Sequence, residues 1–312
     1  MPIFKRICFD LARKLLISVT GTGNDRSPRV NDLHHKLSYR LHKKLGWFGI
    51  TGEVKLAVPG MLGYTLRMIA EDGGVAHQFL VYGRYEPFES SLVRELLKPG
   101  MTVYNVGANI GYYTLLASLS VGERGKVIAF EPSKTNYRLL QGNIEENRLR
   151  NVVAKNVAVS DSSEPIKLYL SGTNSGDHKI FANGAEVGRS FEEIPAVRLD
   201  DVVRNEGAPD VIIMDVQGAE ARVLRGLSKY ATTQGRKPLI LFTEFAPANL
   251  RQAGSSAEEY LQLLKTANLD IRLINEQKRQ LVSITAEELI STTKGFQEKN
   301  LLCLDSRKNP DF

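Results

Sequence analysis

The stretch Val103-Tyr-Asn105-Val-Gly107-Ala-Asn109-Ile-Gly111 joins a β-type apolar run to a turn and the start of a helix. Glycine at 107 permits a sharp turn, and glycine at 111 lets helix and strand pack closely. Twenty residues beyond Gly111, Glu131 ends a second apolar run, Ile128-Ala-Phe-Glu131. A carboxylate at that place can accept hydrogen bonds from both hydroxyls of a ribose. The unit therefore reads as a nucleotide-type site, against the plainer reading of packing glycines beside a surface glutamate. Dinucleotide sites use a further glycine where the backbone touches a pyrophosphate. Here that place holds Asn109, whose side chain would crowd a diphosphate. S-adenosylmethionine has ribose and adenine but no phosphate, so the loop favours this methyl donor over NAD.

Methyl transfer from a sulfonium is an in-line displacement at carbon, and the protein's main task is to hold an acceptor on the far side of the methyl group. A hydroxyl acceptor also needs a proton acceptor in the transition state. In open α/β sheets, sites form beyond the carboxyl ends of the strands. Asp215 follows the apolar run Val211–Met214, and Glu244 lies near the end of Leu239–Phe245. Each is a candidate base or acceptor-orienting group. The structural alternative for Asp215 is capping the next helix, and Glu244 has a structural alternative as well. Glu220 is read as stabilising that helix's first turn or binding neighbouring backbone.

Asp161, in Ala158-Val-Ser-Asp161, resembles the position that contacts adenine in related folds, with turn formation as the alternative. The polar segment Ser171–Lys179 holds His178, the one histidine after His77. It is a candidate base because imidazole titrates near neutrality, although a lone histidine also reads as an ordinary loop residue. Asp177, His178, Asp215 and Glu244 could hold a divalent ion if they converged. Nothing in their spacing requires it, and no metal is expected.

These residues must be positioned by alternating strands and helices. Strands are expected at Thr102–Val106, Val127–Phe130, Val152–Val157, Val211–Val216 and Leu239–Phe245. Helices are expected from Gly111, near Thr135–Asn147, near Glu220–Tyr230 and over Ala257–Ala267. The run Val211–Val216 is almost continuously apolar, as in a strand buried on both faces. Short strands near Ile271–Ile274, Leu281–Ile284 and Leu301–Leu304 suit an antiparallel edge. The fold class expected is α/β: a Rossmann-like, doubly wound sheet, mostly parallel with an antiparallel edge. Upstream, Glu53–Tyr82 alternates like strands broken by Pro59-Gly60 and Asp72-Gly73-Gly74, which suggests hairpins. Three segments follow: a basic helical extension over 1–52, a β-hairpin lead-in over 53–88, and the main domain over 89–312.

With these motifs in view, the chain resembles the FkbM family of methyltransferases. The resemblance lies in Tyr82-Gly-Arg-Tyr-Glu-Pro-Phe-Glu89, in Lys98-Pro-Gly followed by Met101 through the Gly111 loop to Leu115, and in Val197-Arg-Leu-Asp-Asp201. It continues in Ile213-Met-Asp-Val-Gln-Gly-Ala-Glu220 and Phe242-Thr-Glu-Phe245, and the segment Ser171–Lys179 is similar to the family's Asn-Ser-Gly loop. It spans about half of the chain. The resemblance implies a class I methyltransferase fold, S-adenosylmethionine as donor, and O-methylation of a sugar or natural-product hydroxyl. Glu131 would hold the ribose, and the loop from Asn105 through Gly107 and Asn109 to Gly111 would cradle the donor's amino-acid part. Two positions depart from the family pattern, with Asn105 in place of Asp and Gln217 in place of Glu. Each loses a carboxylate, and the first loses a charge that could complement the donor's ammonium and sulfonium.

Composition sets the remaining limits. Of 312 residues, 42% are hydrophobic and 24% charged, which suits a soluble globular chain with a core. The net charge of +6 comes from dispersed Lys and Arg, so no nucleic-acid partner is expected. An RNA methyltransferase is disfavoured further because Asp215-Val-Gln-Gly lacks the Pro-Pro-aromatic continuation of amino-group methylases. A donor-binding scaffold without activity is the other alternative, motivated by Asn105 and Gln217. The two cysteines, Cys8 and Cys303, form no motif, and a cytoplasmic protein is the simplest reading. Ile3, Phe4, Ile7, Cys8, Leu11, Leu15 and Leu16 form the apolar stripe of an amphipathic helix with basic residues between them. That helix suits packing on the chain's own domain or a second subunit, or peripheral contact with a membrane surface. A linker at Gly21–Asn31 and a second basic helix near Leu33–Leu45 come next.

Overall fold

The computed structural model describes residues 50–172, 174–182 and 190–307, with scattered positions among 11–44. Positions 11, 12 and 14 are helical, as are 36–38 and 40–43 within the second basic helix. The rest of the first amphipathic helix and the linker at 21–31 lie outside the described residues.

From residue 50 onward the first element is an antiparallel hairpin, β1 (Glu53–Ala57) and β2 (Thr65–Ile69). A helical turn at Val75–His77 continues as a wider turn over Gln78–Tyr82, and α1 (Pro87–Leu96) follows. The first half of the main sheet comprises β3 (Thr102–Val106), α2 (Tyr112–Val121), β4 (Lys126–Phe130), α3 (Lys134–Glu146) and β5 (Val152–Lys155). Four short strands, β6 (Ala158–Val159), β7 (Ile166–Tyr169), β8 (Phe191–Ile194) and β9 (Ala196–Val197), pair outside that sheet. The second half adds α4 (Leu199–Glu206), β10 (Val211–Met214), α5 (Glu220–Gly226), α6 (Ser228–Thr232), β11 (Ile240–Phe245), α7 (Pro247–Gln252) and α8 (Ala257–Thr266). It closes with β12 (Leu269–Asn275), β13 (Gln280–Ser283), α9 (Ala286–Thr292) and β14 (Lys299–Asp305).

Eight strands form the sheet in the order β13-β12-β14-β11-β10-β3-β4-β5. The five from β5 to β11 run parallel. The late strands are less simple than an antiparallel edge. β14 lies inside the sheet, antiparallel to both β11 and β12, so β12 again runs with the parallel set. β13 forms the antiparallel edge. From β3 the chain winds outward through β4 and β5, then returns to β10 on the other flank. That reversal opens a crevice above the carboxyl ends of β3 and β10, where ligands bind in such sheets.

Side-chain alternation explains the two helical layers. Val103, Val211 and Ile213 face one layer with Leu115, Leu116 and Leu92. Tyr104, Val106, Ile212 and Met214 face the other with Val223, Tyr260 and Leu264. The hairpin joins the first layer: Leu66 and Met68 are fully buried in it. Its strand β2 is bound from α3, where Asn143 Oδ1 accepts from Arg67 N at 2.6 Å and Asn147 Oδ1 from Thr65 N at 2.9 Å. The helix expected near Glu220–Tyr230 is divided at Leu227 into α5 and α6. Among the described residues, no helix is long and apolar enough to cross a membrane.

Candidate active site

The turn after β3 is shaped by its contact with β10. Gly107 has φ +81°, and a Cβ there would lie 1.8 Å from the Asp215 carbonyl oxygen. Gly111 has φ +98°, and its Cβ would lie 2.7 Å from Leu140 Cδ1 of α3. Asn109 between them also takes a left-handed conformation, φ +50°, and its Oδ1 accepts from Ile110 N. Glu131 Oε2 accepts from Asn109 N at 2.7 Å and Oε1 from Ser133 N at 2.9 Å. The loop and the acidic residue thus form one unit. Burial pushes the Glu131 carboxyl up to about 7 even though both backbone bonds favour its charged form.

Two cavities meet over this turn, of ≈ 610 and ≈ 600 Å³, and Gly107, Asn109 and Asp215 line both. In the second cavity Glu131 is joined by Phe130, Val159 and Asn136. Asn136 is buried, its Nδ2 donates to Ser175 O at 2.9 Å, and its Oδ1 has no hydrogen-bond partner. A buried acceptor left open in a cavity wall suits a ligand that donates hydrogen bonds. An apolar wall, a ribose-type acid and an open acceptor fit the nucleoside part of S-adenosylmethionine.

The first cavity takes in Asn105, Tyr85, Glu86, Glu89, Tyr113 and Glu244. Asn105 is buried, and its Nδ2 donates to Thr114 Oγ1 at 2.8 Å. Asp215 and Glu244 come from the neighbouring parallel strands β10 and β11, which brings two carboxylates to one wall. Solvent reaches the Asp215 side chain through the cavity, yet protein encloses it on the other sides. That enclosure raises its carboxyl above the ordinary range, opposed by Gln217 Nε2, which donates to Oδ1 at 2.7 Å. Burial, then the nearby Asp215, hold the Glu244 carboxyl well above the carboxylate range. Asp215 does not cap α5, whose first turn has no side-chain cap. Glu220 instead holds the loop, with Oε1 accepting from Gly218 N at 3.1 Å and Val216 N at 3.4 Å.

Two expected residues lie elsewhere. His178 lines the Glu131 cavity and not the one with Asn105 and Glu244, and its Nδ1 accepts from Ser171 N at 2.9 Å. Asp161 lines neither cavity: its Oδ2 accepts from Arg225 Nε at 2.9 Å, and its neighbours Ala158 and Val159 form the wall instead. Asp177, His178, Asp215 and Glu244 do not converge. Among the described residues no group of three or more His, Cys, Asp or Glu side chains is arranged to hold a metal ion.

Glu86, Glu89 and Asn300 in the first cavity and Asn136 in the second were not among the expected site residues. Glu86 is the residue before α1 and Glu89 lies in its first turn, where acidic residues read as an ordinary helix start. Asn300 reaches the cavity only because β14 returns beside β11, which no local pattern reveals.

Comparison with known proteins shows what the chain is similar to. A family model described as the methyltransferase FkbM domain matches residues 105–272. The hexuronic acid methyltransferase AglP of Haloferax volcanii is 27% identical over 172 residues, which cover 52% of this chain and 68% of that protein. The 31-O-demethyl-FK506 methyltransferase FkbM of Streptomyces tacrolimicus is 32% identical over 161 residues, 42% of this chain and 61% of that protein. Among solved structures, the methyltransferase FkbM from Methylobacillus flagellatus matches at a TM-score of 0.39 with 13% identity, over 73% of this chain and 52% of that one.

Proposed function

The chain belongs to the FkbM family of S-adenosylmethionine-dependent methyltransferases, and from that premise we propose that it methylates a hydroxyl of a sugar or related natural product. The observation that carries this reading is the pair Asp215 and Glu244, two carboxylates on one wall of the cavity that also contains Asn105 and Gly107. Bound S-adenosylmethionine supplies the activated methyl group. Glu131 receives the ribose hydroxyls, Asn136 Oδ1 takes a further donor of the nucleoside, and the Asn105–Gly111 loop carries the amino-acid part. Asp215 and Glu244 orient the acceptor hydroxyl, and the one that is ionised takes its proton. Asp215 is the better base, because Glu244 is held protonated more firmly. His178 belongs to the nucleoside end on this reading and takes no proton from the acceptor. Both curated relatives support the acceptor class, since one is named for a hexuronic acid and the other for the 31-O position of a natural product.

The test is incubation of the purified protein with methyl-labelled donor and a panel of sugar alcohols, polyketide alcohols, amines, carboxylic acids and RNA, with products identified by mass spectrometry. Methyl ethers are the expected products. Transfer confined to amines, carboxylates or RNA would overturn the reading.

A further inference from the structure

The donor brings an ammonium and a sulfonium to this site, and Asn105 at the strand end lines the cavity without a charge to meet them. Their counter-charge must come from elsewhere in the wall. The cavity wall beside Asn105 contains Glu86 and Glu89, from the segment before the main sheet, and none of the described residues lining this cavity is Lys, Arg or His. Glu86 is aimed by two donors from different elements: Tyr113 Oη of α2 donates to its Oε2 at 2.7 Å, and Asn300 Nδ2 of β14 lies 3.4 Å from its Oε1. The same Asn300 Nδ2 donates to Glu89 Oε2 at 2.6 Å, which ties the two carboxyls together.

The backbone of Glu86 is strained, with φ +37° and ψ 66° at a non-glycine residue. Pro87 follows, and a residue before proline prefers the extended region. Conformations of this kind persist where the surroundings enforce them, and they cluster at binding sites. In the same cavity wall, Glu244 Oε2 is buried with no hydrogen-bond partner. Burial first, then neighbours including Asp215 and Glu276, push the Glu86 carboxyl up to about 7, opposed by the Tyr113 and Asn300 bonds. A carboxyl so placed gains most from an arriving cation.

We propose that Glu86, backed by Glu89, supplies the negative charge that the donor's methionine ammonium requires and that the neutral Asn105 beside it cannot. This rests on the donor assignment above. The charge complement lies on the segment that covers the strand end, and the donor site is incomplete without residues N-terminal to β3.

The test is calorimetric titration of the full chain with S-adenosylmethionine and with 5′-methylthioadenosine, which keeps the adenosine and lacks the amino-acid part. Glu86→Gln is expected to weaken S-adenosylmethionine by about tenfold or more and to leave methylthioadenosine unchanged. Adding Asn105→Asp to that variant is expected to recover much of the loss. Should Glu86→Gln fail to fold, Glu86→Gly, which relaxes the left-handed backbone, takes its place. Unchanged S-adenosylmethionine affinity, or an equal loss for both ligands, would overturn the proposal. If the unaltered chain binds neither ligand, the donor assignment itself falls and the proposal with it.

Discussion

Gly107 and Asp215 meet backbone to side-chain position across the two central strands, with only 1.8 Å between the place of a Cβ at 107 and the carbonyl oxygen of 215. The close approach keeps the floor of both cavities thin, so that ligand can lie across the strand ends. It also makes the position intolerant of any side chain. Gly107→Ala is expected to cost roughly 2–5 kcal/mol through the φ of +81° and the clash together. Urea denaturation measures the loss, and wild-type stability would refute the geometry.

Glu131 makes the donor site pH-dependent. Its carboxyl stands near 7 in the folded chain against 4.5 in the ordinary state. The folded protein therefore binds more protons than the unfolded one between those values, so this group's contribution to stability is full below about 4.5 and is lost as pH rises through 7. Glutamine at 131 cannot ionise. The melting temperature of Glu131→Gln relative to wild type, both without donor, is expected to climb from pH 5 to pH 8. In parallel, donor affinity of the wild type rises with pH over the same range, because ribose hydroxyls donate to the ionised form. A flat difference in melting temperature would show that burial does not govern this carboxyl.

The β3 turn and Glu131 were legible in the sequence because both obey local rules: glycine where φ is positive, and an acid closing an apolar run. The parallel strands were legible for the same reason, since Val211–Met214 is apolar at every position and buried on both faces. Depth in the sheet was harder to read. β14 looks like any late strand, and its insertion between β11 and β12 depends on pairing partners far away in the chain. The acidic wall of Glu86 and Glu89 was hidden by its position at the cap and first turn of a helix, where carboxylates are common. Asp161 shows the opposite case, a residue at the expected place whose charge is taken by Arg225.

Asp215 and Glu244 separate donor binding from methyl transfer. Asp215→Asn is expected to keep donor affinity and to lower turnover on the true acceptor by about 10²-fold or more. Glu244→Gln is expected to cost less near neutrality, because the carboxyl it replaces is already held protonated. Turnover of the wild type should also rise with pH as Asp215 ionises from its raised starting point. Single-turnover rates with labelled donor check all three. A larger loss for Glu244→Gln than for Asp215→Asn would reverse the assignment of the base.

The far end of β14 is fixed by charge. Arg236 and Asp305 pair at 2.7 Å with both side chains only 1% exposed. Arg236 Nε also donates to Ala231 O at 2.8 Å, and its Nη2 donates to Ala267 O, so the guanidinium joins α6 and the end of α8 to the last strand. Burial raises the Asp305 carboxyl, but the bonds from Arg307 and the charge of Arg236 more than offset it and hold it far below the ordinary range. A folded value below the unfolded one contributes stability above about 3.8 that is lost as pH falls further. Asp305→Asn leaves a buried guanidinium without its counter-charge, and a broken buried pair costs roughly 3–5 kcal/mol. The chemical-denaturation gap between wild type and Asp305→Asn is therefore expected to be of that size at pH 7 and to narrow as the pH approaches 3. A gap that is small at pH 7 would mean that the guanidinium finds enough backbone acceptors without Asp305, and that β14 is held by its strand pairing alone.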